Sequence, residues 1–439
     1  MNRISQPEPP REFQHEAGFP AWLAPPFLFF LAALVAWAAT QGSSVASRWL
    51  IVNCVATLGF GVGGVIWLIQ HRWGAPSTRL LNRASLVLTT ALLGALWIWN
   101  RAPLPALTHD ELRAFGMALA DSVNRKDPSF LNDHFDFEGM LGKIWGRGAH
   151  GRMAPGTTPE QAIGHFTSSV KTGAWHYTFK KVTGDNKILI RASSGGSFNF
   201  HEYELARGED GRVLWRDTYT YAEGSLLSES VSQLSVFKGP RSALIEKAFK
   251  EFCALSDKEA WPDILQAYED LPRELKASPD VLVVRARAAF EAGGPAEAAA
   301  VRDLEQEVLP EHPGVGLTLI PYYRRQRSFD RILELLAGLS VLAPDASLES
   351  LRSMALVGKG DLPAARASAQ KAIELEPDFK DGYYASLHVA THSGDHALTR
   401  ELLEVLQKLD ADVDALVREP DFAPFRASAE HEAWRAARQ

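Results

Sequence analysis

Three stretches without a charged side chain dominate the first hundred residues and constrain the fold more than any other feature. They are residues 18–47, 49–70 and 84–100. About 20 apolar residues in a helix cross a bilayer core of about 30 Å. A charge at the centre of such a helix costs about 2.5–3.5 kcal/mol on insertion scales. The sequence therefore predicts three transmembrane helices within residues 21–100, preceded by a tail over residues 1–20.

Small residues within these stretches have a spacing that suits packed membrane helices. Gly59 and Gly63, and Thr90 and Gly94, lie four residues apart, which allows close approach of two helices. We predict that these four residues pack the membrane helices together. The run around Gly59 also matches a dinucleotide-binding pattern, but apolar residues continue after it and the next acidic residue is Asp110. Helix packing is therefore the better interpretation.

The distribution of basic residues predicts the orientation of these helices. The loop over residues 71–83 holds three arginines, whereas the loop between the first two stretches holds only Arg48. The positive-inside rule places the arginine-rich loop and the N-terminus in the cytoplasm. The predicted location is a bacterial inner membrane, with three spans and with the C-terminal domains in the periplasm. Cleavage of the first stretch as a signal peptide is an alternative that leaves those domains on the same side.

The charge balance of the remaining chain bears on the class of partner. The chain has 46 Lys+Arg and 53 Asp+Glu, of which six basic and three acidic residues precede Arg101, leaving 40 basic and 50 acidic residues behind them. Nucleic-acid binding needs a basic surface that displaces phosphate counterions. The sequence therefore predicts no nucleic-acid partner. More than 300 residues are enough for two domains with cores of their own.

The first of these domains is predicted over residues 107–237 and has an α+β pattern. Thr108 and Glu111 have the spacing of a capping box that opens a helix. Later, alternating apolar and polar residues predict four antiparallel strands with tight turns between them. The runs cover residues 175–182, 187–192, 197–207 and 212–221.

The last two of these runs resemble the end of the nuclear-transport-factor-2-like, cystatin-type cone fold. The resemblance is carried by residues 200–207 (FHEYELAR), the Asp-Gly-Arg turn at 210–212 and residues 215–221. It implies a cone with a pocket between helix and sheet. Some members of this family are enzymes, and many only bind ligands or partners. If the side chains point into the cone, the pocket is lined by His201, Tyr203, Asp217 and Tyr219. A register shifted by one residue turns them to solvent.

A repeat of about 34 residues organises the chain over residues 240–439. Pro279, Pro313, Pro344 and Pro377 are spaced by 34, 31 and 33 residues, and each interval reads as two helices with a short turn. This pattern resembles tetratricopeptide repeats, which stack helical hairpins into a groove for a protein segment. The resemblance implies a protein partner. The candidates for the groove surface are an aromatic and basic patch of Tyr322, Tyr323, Arg324 and Arg325.

No motif of the sequence predicts catalysis, a cofactor or a metal site. Residues 133–138 (DHFDFE) read as an amphipathic helix with a solvated acidic face. His388, His392 and His396 have the spacing of zinc ligands on a helix, but a Gly-Asp turn interrupts them. The sequence thus favours a non-enzymatic, membrane-anchored adaptor or assembly factor that binds protein partners of the cell envelope beside a lipid bilayer. The alternative is a ligand-binding sensor or an enzyme that uses the pocket of the cone.

Overall fold

The computed structural model describes most of the chain after residue 103. The described residues are 104–145, 163–195, 197–236, 242–339, 342 and 344–438. The chain forms two compact units. The first consists of Met1–Ala106 and Arg207–Arg212, and in its described part Arg207 Nε donates a hydrogen bond to Pro105 O over 2.9 Å. The second consists of Leu107–Ala206 and Val213–Gln439, and it contains the two domains predicted after the membrane region except for residues 207–212.

Among the described residues, four helices precede the sheet of the second unit. Helix α1 starts after Thr108, and the predicted capping box is confirmed, since Glu111 N–H donates to Thr108 Oγ1 over 3.2 Å and Thr108 N–H donates to Glu111 Oε2 over 2.8 Å. The helix buries an apolar face that includes Leu119 and Val123. The bounds are α1 His109–Asn124, α2 Ser129–Asp133, α3 Phe137–Trp145 and α4 Gly164–Thr172.

The sheet is antiparallel and has five strands, which neighbour one another in chain order. Strand β2 pairs with both β1 and β3, and Ile190 of β2 lies opposite His201 of β3. The strands are β1 His176–Gly184, β2 Lys187–Ser194, β3 Ser197–Arg207, β4 Val213–Thr220 and β5 Ser225–Leu226.

The described chain after the sheet is helical, and four helical hairpins follow four connecting helices. Pro321 lies inside the first helix of the second hairpin. The connections are α5 Leu227–Val236, α6 Ser242–Asp257, α7 Trp261–Asp270 and α8 Arg273–Lys276. The hairpins are α9 Pro279–Ala292 with α10 Ala296–Glu307, α11 Gly316–Arg325 with α12 Phe329–Leu339, α13 Ala346–Lys359 with α14 Leu362–Leu375, and α15 Lys380–Ser393 with α16 His396–Lys408. The chain then forms α17 Val413–Arg418, α18 Ala423–Arg426 and α19 Ala429–Ala436, with short 3-10 turns at Pro313–Val315 and Pro420–Phe422.

The sheet is buried on both faces, and this is why β2 shows little alternation of exposure. Ile188 and Ile190 pack with Leu119 of α1 in one hydrophobic core. Leu189 and Phe200 belong to a second core that they share with the helical hairpins. The sheet and the hairpins therefore form one packed body.

The turns that join successive hairpins lie against the second face of the sheet. His312 Nδ1 is 2.8 Å from the hydroxyl of Tyr219 on β4. Further along, Asp345 and Glu376 each bind the guanidinium of Arg191 on β2, at 3.0 and 2.6 Å. These turns carry the prolines whose spacing marks the repeat. The repeat of about 34 residues thus brings successive turns between hairpins against the sheet.

The predicted fold class is wrong in three respects. The sheet has a fifth strand, because β5 has only two residues and leaves no periodicity in the sequence. The hairpins are not a separate solenoid, since they share a core with the sheet. Within the described residues, none of the helices is both long and apolar enough to cross a membrane, so three transmembrane helices are not seen. The packing residues Gly59, Gly63, Thr90 and Gly94 lie outside the described residues.

Candidate functional site: a polar cavity beside the sheet

A cavity of about 210 Å³, partly open to solvent, lies beside strands β3 and β4. Its walls come from α4, four strands, the β4–β5 turn, α5 and the first turn of α9. The apolar and aromatic part of the wall consists of Val170, Trp175, Tyr177 and Leu227. The polar part consists of Asn199, His201, Thr218, Thr220, Glu223, Ser225, Ser230 and Asp280.

The two-residue period of the strands explains why these side chains converge. Asn199 and His201 are two positions apart on β3 and therefore share one face, while Phe200 between them points into the core of the hairpins. Thr218 and Thr220 form the equivalent pair on β4. The alternation delivers polar groups to the cavity and apolar groups to the helices from the same strands.

A chain of hydrogen bonds links the cavity wall to the core of the sheet. The Tyr203 hydroxyl donates to the Tyr177 oxygen over 3.3 Å, and the Tyr177 hydroxyl lies 3.3 Å from His201 Nδ1. Burial raises the pKa of Tyr177 to about 12 and lowers the pKa of His201 to about 4. Both side chains are therefore neutral at neutral pH, and the direction of the hydrogen bond between them follows the tautomer of the imidazole.

Thr218 lines the cavity and carries an unsatisfied polar group. The residue is fully buried, and its hydroxyl has no hydrogen-bond partner among the described residues. A buried polar group without a partner costs about 1–3 kcal/mol. A molecule in the cavity that hydrogen-bonds this hydroxyl recovers that free energy.

The cavity also carries two carboxylates. Glu223 accepts a hydrogen bond from Asn199 Nδ2 over 2.8 Å, and Asn199 Oδ1 accepts one from the backbone N–H of Ala222 over 2.8 Å. This arrangement fixes the turn that presents Glu223. Asp280 comes from the start of α9, far along the chain. Of the described residues that line the cavity, none is Lys or Arg.

The four residues predicted to line a pocket have different positions in the structure. His201 lines the cavity, and Tyr203 lies behind it in the core. Asp217 is buried away from the cavity, where it accepts hydrogen bonds from Lys143 Nζ at 2.8 Å and Ser228 Oγ at 2.6 Å. Tyr219 contacts His312 on the opposite face of the sheet. The structure thus brings only one of the four into the cavity.

Some of the remaining lining residues carried a signal in the sequence. Asn199 precedes His201 by two residues and must share its face of the strand. Thr218 and Thr220 are single polar residues in a β run and look like ordinary strand residues. Glu223 and Asp280 come from a turn and from a later helix, so no local pattern links them to the sheet.

The four residues predicted for the partner groove also have different positions in the structure. Tyr322 stacks on Phe290 with ring centroids 5.8 Å apart, and the Tyr323 hydroxyl donates to Glu305 Oε1 over 2.6 Å. Arg325 pairs with the carboxylate of Glu297. These three therefore hold neighbouring hairpins together.

Only Arg324 of this patch lines a groove, which has a volume of about 330 Å³ and lies across α11, α12, α13 and α15. Its wall is mainly apolar and its rim is polar. The wall consists of Ile320, Phe329, Ile332, Leu351, Met354, Ala355, Val357 and Gly358, and the rim consists of Arg324, His388, His392 and Asp421.

Comparisons of this chain with known protein families, with curated proteins and with solved structures found no match. The geometry of the cavity and of the groove is therefore the basis for assigning a function.

Proposed function

We propose that this chain is a binding protein whose cavity beside the sheet receives a small polar molecule. The observation that carries the proposal is the buried, unpartnered hydroxyl of Thr218 in the cavity wall. Sites for drug-sized ligands have volumes of roughly 300–1,000 Å³. At about 210 Å³ the cavity suits a smaller molecule.

The state of His201 favours binding over catalysis. General acid–base catalysis is most effective when the pKa of the group lies near the working pH. Burial lowers the pKa of His201 to about 4. Its imidazole is therefore a weak base and stays neutral at neutral pH, so it serves as a hydrogen-bonding group of the wall.

A tryptophan placed in the cavity tests this function. Ser230 on α5 lines the cavity, and Ser230→Trp fills part of its volume. Ser168 on α4 is exposed and does not line it, so Ser168→Trp is the matched control. The full chain is screened by thermal shift against a sugar, a dicarboxylate, a nucleoside, a primary amine and a quaternary ammonium compound.

We expect at least one class to raise the Tm of the wild type and of Ser168→Trp, since a ligand that binds only the folded state stabilises it. The same compound should leave the Tm of Ser230→Trp unchanged. A shift that survives in Ser230→Trp, or a panel without any shift, refutes ligand binding by the cavity.

A second candidate function is the binding of a protein segment by the groove of the hairpins. The supporting observation is the apolar wall, with Arg324, His388, His392 and Asp421 on its rim. Apolar side chains of a segment would cover this wall, and a carboxylate of the same segment would pair with Arg324. A groove that binds a protein segment would suit an adaptor or assembly factor. The predicted periplasmic location rests on residues outside the described ones and stays a prediction.

Peptide selection from a random displayed library tests the groove. We expect apolar peptides with Asp or Glu to bind the wild type, and to lose binding in Met354→Arg, which places a charge in the wall. Met117 is exposed on α1, so Met117→Arg should bind the same peptides as the wild type. The proposal is contradicted if the selected peptides lack acidic residues. It is also contradicted if Met354→Arg and Met117→Arg bind the peptides equally well.

A further inference from the structure

We infer that the molecule received by the cavity is a small organic cation with a primary ammonium group. This inference rests on the proposed binding function and adds the chemical class of the ligand. It starts from two carboxylates, Glu223 and Asp280, that reach one small cavity from different elements.

The partners of these carboxylates among the described residues are neutral. Glu223 accepts from the Asn199 amide over 2.8 Å. Asp280 accepts from the Ser278 hydroxyl and from the backbone N–H of Val281, the latter over 3.0 Å. Glu223 and Asp280 are acidic, and no Lys or Arg is found among the described lining residues, so the charges of the described wall favour a cation. Like charges exclude an anionic ligand, and opposite charge attracts a cation.

The negative charge of Glu223 also shifts the pKa of Tyr177, another residue of the wall. Burial is the main reason for the raised pKa of Tyr177, and the negative charge of Glu223 raises this pKa further. The charge of Glu223 therefore acts on a residue of the cavity wall.

Trp175 supplies the second feature of an ammonium site. It is half-buried at the wall of the same cavity. A cation over the face of an indole ring gains about 0.5–2 kcal/mol. Carboxylates beside an aromatic ring are the combination that binds ammonium groups, because the ring desolvates the cation without repelling it.

The unpartnered hydroxyl of Thr218 distinguishes a primary from a quaternary ammonium group. Its oxygen can accept a hydrogen bond from an N–H donor, and so can the oxygens of Glu223 and Asp280. A primary ammonium group has three such donors, whereas a quaternary one has none. Only the primary form can satisfy the buried hydroxyl.

The test compares four compounds of similar shape: benzylamine, benzyltrimethylammonium, benzyl alcohol and benzoate. Isothermal titration calorimetry measures each against the full chain, with calcium chloride as a fifth titrant. We expect benzylamine to bind at least about tenfold more tightly than benzyl alcohol, because a charge-assisted hydrogen bond is roughly twice as strong as a neutral one. Benzyltrimethylammonium should bind more weakly than benzylamine, and benzoate should not bind.

Two variants assign the preference to the cavity. Glu223→Gln and Asp280→Asn should each lower the preference for benzylamine over benzyl alcohol by about tenfold. Glu229 on α5 is exposed and does not line the cavity, so Glu229→Gln should keep the preference of the wild type.

The outcomes separate the ligand class from the binding function. Equal binding of benzyl alcohol and benzylamine, abolished for both in Ser230→Trp, overturns the cation and leaves the binding function intact. Tighter binding of the quaternary compound overturns the primary ammonium group. Calcium binding that is lost in Glu223→Gln assigns the carboxylates to a metal instead. If none of the compounds binds, the ligand class is refuted, and the binding function then depends on the wider panel above.

Discussion

Arg191 of β2 donates a hydrogen bond from Nη1 to Asp345 Oδ2 over 3.0 Å, although 154 residues separate them in the chain. The other carboxylate oxygen, Asp345 Oδ1, accepts hydrogen bonds from the backbone N–H groups of Ser347 and Leu348 at 2.8 and 3.3 Å. One carboxylate therefore caps helix α13 and binds the sheet. The stability of the hairpin and that of its contact with the sheet depend on the same side chain.

Removal of this cation should destabilise the whole body. In Arg191→Met, the buried carboxylate of Asp345 and that of Glu376 lose their guanidinium partner. Breaking a buried ion pair costs about 3–5 kcal/mol. Lys180 Nζ still lies 2.8 Å from Asp345 and 2.6 Å from Glu376, which places the expected loss at the lower end of this range. Urea unfolding of the full chain measures it.

A second cation of the same strand is the control. Lys187 pairs with Glu202 at 2.7 Å, and 45% of the Lys187 side chain is exposed. An exposed pair contributes about 0–1 kcal/mol. Lys187→Met should therefore change the free energy of unfolding by less than about 1 kcal/mol. Similar losses in the two variants would falsify the role of the buried network.

Asp217 should be a structural residue. Its carboxylate accepts from Lys143 Nζ, from the Ser228 hydroxyl and from the N–H groups of Thr218 and Ser228. In Asp217→Asn an amide N–H₂ group faces these donors, and we expect a loss of about 3 kcal/mol in urea unfolding. Glu204→Gln removes the exposed partner of the same lysine and should cost less than about 1 kcal/mol. A loss no larger than that of the control contradicts this role.

Close packing of Gly314 against the sheet predicts a loss on substitution. A Cβ atom at this position would lie 2.5 Å from the backbone oxygen of Tyr221. Gly314→Ala should cost about 1–3 kcal/mol, because overpacking forces the turn away from β4. Gly338 is an exposed residue of α12, and the nearest atom is 4.0 Å from such a Cβ. Gly338→Ala should be neutral or stabilise by up to about 1 kcal/mol. Thermal unfolding compares the two, and equal Tm values for the variants argue against the close contact.

His201 predicts a dependence of stability on pH. The unfolded imidazole gains a proton near its ordinary pKa of 6.5, whereas the buried one resists protonation down to about 4. The unfolded state therefore binds more protons in this window, and stability from the neutral imidazole is lost as the pH falls through it. The loss amounts to about 3 kcal/mol over the window.

His201→Gln isolates this effect, because glutamine does not titrate. Urea unfolding at about pH 7 and about pH 4.5 should show that the free energy of unfolding falls more steeply in the wild type than in the variant. Carboxylates contribute equally to both proteins and cancel in the comparison. Parallel pH profiles are the result that counts against a buried neutral His201.

Local patterns in the sequence were enough to locate the strands and the hairpins. The four runs of alternating residues overlap β1 to β4, and Gly360 ends α13 with a φ of 83° that suits a glycine in a turn. Asp395, in the Gly-Asp turn that interrupts the three histidines, caps α16, with its Oδ1 accepting from Leu398 N–H over 3.1 Å. Such features depend on neighbouring residues, and the sequence displays them directly.

The packing of the turns on the sheet had no such local signal. Arg191 lies in an apolar strand and reads as a polar residue at a sheet face, and nothing near it indicates that Asp345 or Glu376 will bind it. Tyr219 and His201 looked alike as pocket residues, but the hairpins cover the face that carries Tyr219. Which face of a strand becomes a cavity is decided by elements that come more than ninety residues later.

The late partners of Arg191 have a consequence for synthesis on the ribosome. Glu376 follows Arg191 by 185 residues, and at about 5–20 residues per second its translation takes about 10–40 s longer. During this interval the nascent strand exposes a guanidinium and an apolar surface without the hairpins that later cover them. The growing chain is then open to acidic and apolar segments of other proteins, which makes this sheet a place where a chaperone would act.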